Sequence, residues 1–274
     1  MTISPFTPLF FIGDKADGIE SEYIQTFATT DRILIQIICS PMEPVRGVIL
    51  TEPDSKQHST IRFNHWDINE ATRLLFTELS LSPGFYSVKI EGETSVPFRV
   101  TDDADELAET TLIQYSMKNN RQRTDAVFFI DGMQYFFDFR VPGGFKDSGW
   151  TFSVENEQFT TPLGDISQLY GLESTQKDFT LGYGAGVPVW FREMLNRKLV
   201  CDHEYIDYKK YVRKDASVPE MEQPMAGVNS FIFTQKLQQS VWLDPEIENS
   251  NHAIIRRTDN TVYRTTDNQP RAIY

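Results

Sequence analysis

Residues 126–140 read Ala126-Val127-Phe128-Phe129-Ile130-Asp131-Gly132-Met133-Gln134-Tyr135-Phe136-Phe137-Asp138-Phe139-Arg140. Asp131-Gly132 between two aromatic runs is the signature of a type I′ β-hairpin, because both central positions need a positive φ. Successive strand side chains point to opposite faces, so Phe128, Ile130 and Phe136 cannot all share a face with Val127, Phe129 and Phe137. A ribbon that is apolar on both faces needs cover on both sides. The chain's own helix or another subunit would supply it. The fold class follows: mostly β, with antiparallel layers packed on one another.

Toward the C-terminus the β pattern continues. Trp150, Phe152 and Val154 alternate along a strand over 150–159, and 166–172 reads as strand or loop. Gly182-Tyr183-Gly184-Ala185-Gly186-Val187-Pro188 leads into one helix near 188–199, with Pro188 suited to the first turn. Trp190, Phe191, Met194, Leu195 and Leu199 recur at three- and four-residue steps as its apolar stripe. Arg192, Asn196, Arg197 and Lys198 are expected on its outer face and basic C-terminal end. Residues 205–212 read as a hairpin, 214–226 as a loop and 230–243 as a long strand. These make a second domain over 109–243, an antiparallel β domain with one main helix. An extended arm follows over 244–274. Its last stretch, 251–274, sets Arg256, Arg257, Arg264 and Arg271 against Asp259 and Asp267, a net +2.

Toward the N-terminus, Thr101-Asp102-Asp103-Ala104-Asp105-Glu106 reads as a solvated linker. Before it, residues 1–104 read as consecutive short strands separated by turns, an immunoglobulin-like β-sandwich. In Leu81-Ser82-Pro83-Gly84-Phe85-Tyr86-Ser87-Val88 the Tyr is placed as a tyrosine corner, its hydroxyl bonding back across the turn. Residues 64–66, Asn64-His65-Trp66, read as loop.

The chain has 274 residues, 26 basic and 39 acidic, a formal charge of −13, of which residues 1–104 carry −7 (8 basic, 15 acidic). That balance argues against nucleic acid as the specific partner, which needs clustered Lys and Arg. A hydrophobic content of 40% excludes a disordered chain. Cys39 and Cys201 are too few for a disulfide scaffold. No apolar run approaches the ~18 residues of a membrane span, so no membrane partner is expected. Met1 to Glu22 lacks the basic start of a signal peptide, which points to a reducing cytosol.

Chemistry is thin. His58, His65, His203 and His252 fall in no metal motif, and Cys201 with His203 makes a two-ligand fragment. Gly182, Gly184 and Gly186 precede a helix but lack a phosphate-loop context, so a tight turn explains them better. Acidic pairs such as Asp202 with Glu204 arise by chance in any acidic chain, and Gly-x-Ser-x-Gly is absent. No catalytic residue, cofactor or metal is assigned. A hydrolase would need a cleft of convergent carboxylates that the sequence does not reveal. Trp190 lies on the helix stripe and reads as packing. Trp66 and Trp150 are the candidates for exposed aromatics, which sugars could stack on.

Residues 109–243 resemble a family of phage and prophage virion proteins of Bacteroidetes hosts, described as tail or structural proteins. The resembling stretches are Thr111-Leu112-Ile113-Gln114-Tyr115-Ser116 with Asn119-Asn120-Arg121, then 133–144, then Trp150-Thr151-Phe152. Further on they are Gly184-Ala185-Gly186-Val187-Pro188, Leu195-Asn196, Cys201-Asp202, Tyr205-Ile206-Asp207 with Tyr211, and Phe231-Ile232-Phe233-Thr234. A turn Gly usual after Ile-Asp is replaced by Tyr208. The resemblance implies no active site. It implies a non-enzymatic neck or tail component, assembled in the host cytoplasm and carried in the virion. Its partners would be copies of itself, in a ring or tube, and other virion proteins. A glycan- or receptor-binding β module is the alternative. The expected interaction residues are Phe128, Phe129, Tyr135, Phe137, Trp150, Trp66, Arg256, Arg257 and Arg264.

Overall fold

The computed structural model describes residues 1–11, 23–54, 56–184, 186–214, 219–240, 263–266 and 269–272. The chain is mostly β, as the alternation predicts.

The first ten strands are β1 (Thr2–Ile3), β2 (Gln25–Ala28), β3 (Ile33–Cys39), β4 (Gly47–Thr51), β5 (Lys56–Ile61), β6 (Asn64–Asn69), β7 (Thr72–Leu79), β8 (Gly84–Ile90), β9 (Glu93–Thr94) and β10 (Phe98–Thr101). They form two sheets, β1-β3-β7-β6 and β2-β10-β8-β4-β5, with β9 pairing β8. Two antiparallel layers joined in this order are the immunoglobulin arrangement, with β2 running parallel to β10 at the edge. The inward face of each strand fills the space between the sheets. Phe27, Ile35, Ile37, Val88, Ile90 and Phe98 are all buried in one cluster. Tyr86 Oη donates to the Ser82 carbonyl at 3.2 Å, the tyrosine corner expected from its place in the sequence. Gly84 gives the ring its room, since a Cβ there would lie 3.0 Å from that hydroxyl. No disulfide ties the sheets, and Cys39 is a buried free thiol.

The stretch read as a solvated linker is partly helical. Helix α1 (Ala104–Ala108) is capped by the Asp103 carboxylate, which accepts from the Asp105 and Glu106 amides. Asp at the cap and acids in the first turn suit the helix dipole, a pattern that a bare charge run hides.

The second half contains β11 (Thr110–Ser116), β12 (Phe129–Ile130), β13 (Met133–Gln134), β14 (Phe137–Thr160), β15 (Ile166–Leu181), helix α2 (Val189–Lys198), β16 (His203–Ile206), β17 (Lys209–Arg213), β18 (Glu220–Glu222) and β19 (Ile232–Gln239). It is an antiparallel β domain with one main helix, and its sheet closes. The order is β15-β14-β11-β16-β17-β19, and β15 also pairs β19. A barrel has no edges to protect along its wall. Short β18, in the segment read as a loop, adds to β19. The stretch 166–172 is strand. Of the arm, residues 241–262 lie outside the described residues, and β20 (Tyr263–Thr266) pairs β21 (Gln269–Ala272).

Two turns show the price of register. Asp131 and Gly132 take φ of 51° and 77°, the type I′ geometry expected from Asp-Gly. At the β16–β17 turn Asp207 and Tyr208 take φ of 46° and 67°. The tyrosine therefore holds a left-handed conformation that suits glycine, and the hairpin forms without the usual Gly.

Candidate interaction surface

The aromatic hairpin is covered on both sides by its own chain. Phe128 and Phe137 are fully buried, and so are Phe139 and Val141. Their cluster takes in Phe6, Phe10, Leu34, Leu74 and Phe76 from the sandwich and Phe191, Met194 and Leu195 from α2. Phe6 meets Phe128 edge-on at 5.4 Å, and Phe137 stacks on Tyr115 at 5.5 Å. Phe128 and Phe137, expected at an intermolecular interface, are thus core residues. The second layer they require is the sandwich and α2. Phe129 and Tyr135 are half-buried, and Tyr135 packs on Phe76 at 5.4 Å.

Polar side chains fasten the two halves. Gln36, wholly buried on β3, donates to the Val127 carbonyl at 2.6 Å and accepts from the Val127 amide at 3.0 Å. A buried carboxamide satisfied on both sides fixes the register of the two domains. Tyr115 Oη donates to the Phe6 carbonyl at 2.6 Å. Arg140 grips Asp31 with two bonds of 2.6 and 2.8 Å, a charge-assisted fork. Beside it Asp138 accepts from the Arg32 amide at 2.9 Å and from Gln114 Nε2 at 2.9 Å. Burial raises the Asp138 carboxyl above its usual range despite the Arg32 charge nearby.

Sequence reasoning placed Lys198 on the outer face of α2, yet it is completely buried. Its ammonium lies 3.3 Å from the Glu204 carboxylate and 5.8 Å from the Phe179 ring. Burial pulls the amine down to about 8 and pushes the Glu204 carboxyl up, so desolvation outweighs the pairing on both sides. The helix buries Phe191, Met194 and Leu195, with Leu199 at its C-cap, as the stripe predicts, and Lys198 beside them, while Trp190 is only partly covered. Cys201 is half-buried, and burial raises its thiol well above the ordinary value, so it is a poor nucleophile. Gly182 and Gly186 sit where the backbone packs closely on Phe231. A Cβ at Gly182 would come within 2.9 Å of the Phe231 carbonyl. Among the described residues no three His, Cys, Asp or Glu side chains gather where they could hold a metal.

The surface that remains open lies elsewhere. Strands β14 and β15 stay paired along 153–160 and 166–174 beyond the barrel wall. Among the described residues their far ends pair with no other strand: β14 meets β11 only as far as Pro142, and β15 meets β19 only from Thr175 onward. From Thr175 to Ile166 the ribbon stands out by about 30 Å at ~3.3 Å per residue. Phe152, Val154 and Leu163 are 72%, 62% and 91% exposed, and Phe159, Ile166, Leu169 and Tyr170 are also open. Scattered single apolar residues are ordinary on a surface; a ribbon of them marks a contact.

Trp150 sits at the root of this ribbon, half-exposed, with the Lys177 ammonium 3.8 Å from its ring centre. Trp66 lies in β6 and packs against the shared core, contrary to the loop-like reading of its surroundings. Its neighbours His65 and Asp67 carry little strand propensity, and pairing to β7 overrides that. Arg256 and Arg257 lie outside the described residues, and Arg264 falls in β20. The ribbon was visible in the sequence as alternation through Trp150, Phe152 and Val154. That alternation does not tell whether the strand leaves the barrel.

No helix among the described residues is long and apolar enough to cross a membrane. No family model matches the chain, and no curated protein does. Among solved structures, the chain is similar at 8% identity to one described as the crystal structure of Dpr2 Ig1-Ig2 in complex with DIP-Theta Ig1-Ig3. The match covers 83% of this chain and 90% of that one, with a TM-score of 0.17. At that score the assignment of the fold rests on the strand order above.

Proposed function

We propose that this chain is a non-enzymatic structural component of a bacteriophage neck or tail, which assembles with copies of itself and with other virion proteins. The observation that carries the assembly role is the apolar ribbon standing out from a welded two-domain body. The body is held together by a common core, by buried Gln36 and by the Asp31–Arg140 fork. A rigid body with a protruding sticky ribbon is the form of an assembly subunit. The virion context is supported by the resemblance of residues 109–243. The glycan-binding reading has less support, since Trp66 is packed and Lys177 occupies one face of Trp150.

The test is mass spectrometry of virions purified from a producing culture. The expected result is the chain in the particles at the stoichiometry of a neck or tail component. Its confinement to the particle-free lysate would refute the proposal.

A further inference from the structure

We infer that the projecting ribbon of one copy, residues 153–174, docks on strand β17, and on the turn before it, of a second copy of this chain. This deepens the assembly reading and rests on it.

Charge is the first argument. Between Lys146 and Lys177 the chain carries Asp147, Glu155, Glu157, Asp165 and Glu173 and no basic residue. The receiving segment, turn included, is the reverse: Asp207-Tyr208-Lys209-Lys210-Tyr211-Val212-Arg213-Lys214 has four basic residues and one acid, Asp207. Tyr208, Lys209 and Val212 are exposed there. At −13, two copies repel over most of their surface. Contact is favoured where an acidic apolar element meets a basic apolar one, which is the pairing these two segments offer.

The register supplies the second argument. Tyr211 and Thr175 both face Gln239, so β17 and β15 run side by side in level across β19. Lys209 then stands level with Glu173, and the Asp207–Tyr208 turn sits at the rim from which the ribbon departs. The ribbon begins where β17 begins and runs on beyond it, so in a neighbouring copy it reaches the rim end of β17, at Lys209 and the Asp207–Tyr208 turn. The contact joins two different surfaces, so it propagates into a ring or a filament.

The chemistry of the two surfaces agrees. By alternation and by the Glu157–Tyr170 pairing, one ribbon face presents Glu155, Glu157, Phe159 and Tyr170 together. Acids there find the lysines, and the rings find Tyr208 and Val212. The free edges of 150–160 and 166–174 also offer backbone groups to a neighbouring chain.

The experiment is light scattering of the full chain from about 1 to about 100 µM, a range that spans ordinary assembly affinities. The expected mass is a multiple of 31.6 kDa at the upper end. Phe159→Ser with Tyr170→Ser should leave the monomer, with an unchanged circular dichroism spectrum. Lys209→Glu with Lys210→Glu should weaken association about tenfold or more, the equivalent of one good charge contact. Adding Glu155→Lys and Glu157→Lys to that variant should restore it. A monomer at the highest concentration, ribbon variants that still associate, or a charge swap without rescue would each overturn the docking. If virions contain the chain but the pure protein stays monomeric, the virion reading stands and the ribbon belongs to another virion protein. If the chain associates through the ribbon yet virions lack it, the docking stands and the virion reading falls.

Discussion

The aromatic segment at 127–139 and the ribbon at 153–174 are both built of antiparallel pairs that carry large aromatic side chains, the first through a short hairpin and then through β14 against β11. The hairpin is covered twice by its own chain, whereas the ribbon projects from the barrel uncovered. The difference lies in partners remote in sequence. Gln36 reaches Val127 across 91 residues, and Asp31 and Phe6 reach Arg140 and Tyr115 across 109 each. A local pattern shows that a strand pair needs cover, and the rest of the chain decides whether that cover is internal.

The sharpest way to break this contrast is to empty the covered side. Phe137→Ala removes a fully buried ring that stacks on Tyr115 and meets Phe6 and Phe128. Loss of transfer energy plus the residual cavity should cost about 3–5 kcal/mol. Because the core is common to both halves, denaturant unfolding followed by tryptophan fluorescence and by circular dichroism should shift as one transition. Two separate transitions, with only one displaced, would show that the sandwich and barrel are independent.

The polar part of the junction comes next. Asp31→Ala leaves the Arg140 guanidinium largely buried without its fork, for a cost of about 3 kcal/mol. Adding Arg140→Leu should recover part of that loss, since the stranded charge is then gone. No recovery would mean that packing around Arg140, rather than its charge, holds the domains.

Burial also leaves a mark on pH dependence. The Lys198 amine titrates near 8 in the folded chain and at 10.5 when free. Between those values the unfolded chain binds the extra proton, so stability should rise as pH increases from about 8 to about 10.5. A gap of that width is worth about 3 kcal/mol at ~1.4 per unit, as an upper figure. Glu204, shifted upward, acts at lower pH with the opposite slope. The measurement is the difference in melting temperature between the chain and Lys198→Met across the alkaline range. A pH-independent difference would place the amine in contact with water.

Much of this architecture was legible in the sequence. Tyr86 marked the sandwich through its corner, Asp131-Gly132 marked the hairpin, and Pro188 marked the start of α2. The closure of the barrel was not legible, because it depends on β15 meeting β19 late in the chain. Lys198 was placed outside because its charge was weighed without its partner, and Glu204 becomes that partner only once the chain turns back after the helix. Trp66 was a candidate for exposure because its surroundings read as loop, whereas it lies in β6 and packs against the shared core. The ribbon's composition was plain, but its solvation could be learned only from where the barrel ends.

Tyr208 gives a smaller effect of opposite sign, at the proposed receiving surface. Its φ of 67° costs a residue with a Cβ about 1–2 kcal/mol, which glycine avoids. Glycine also gives up more chain entropy, so Tyr208→Gly should stabilise the monomer by roughly 1 kcal/mol in chemical denaturation. If the tyrosine is kept for contact with a neighbour, the same variant should associate more weakly. Stability and association would then move in opposite directions, an outcome that a purely structural turn residue would not produce.

The smallest expected change is the most pointed. Phe152 is as large and apolar as Phe137 and lies in the same strand, β14, but it is 72% exposed, with the Trp150 ring 5.9 Å away between centres. Little apolar area leaves water there on folding, so Phe152→Ser should alter monomer stability by no more than about 0.5 kcal/mol. Measured beside Phe137→Ala, this sets two phenylalanines of one strand against each other with only their cover different. A loss above about 2 kcal/mol would mean that the ribbon folds back onto the body in solution, because only a buried ring carries that much. A negligible loss would mean that selection for the monomer's stability does not explain an exposed phenylalanine at this position. Its apolar surface would then have to be accounted for by something outside the monomer.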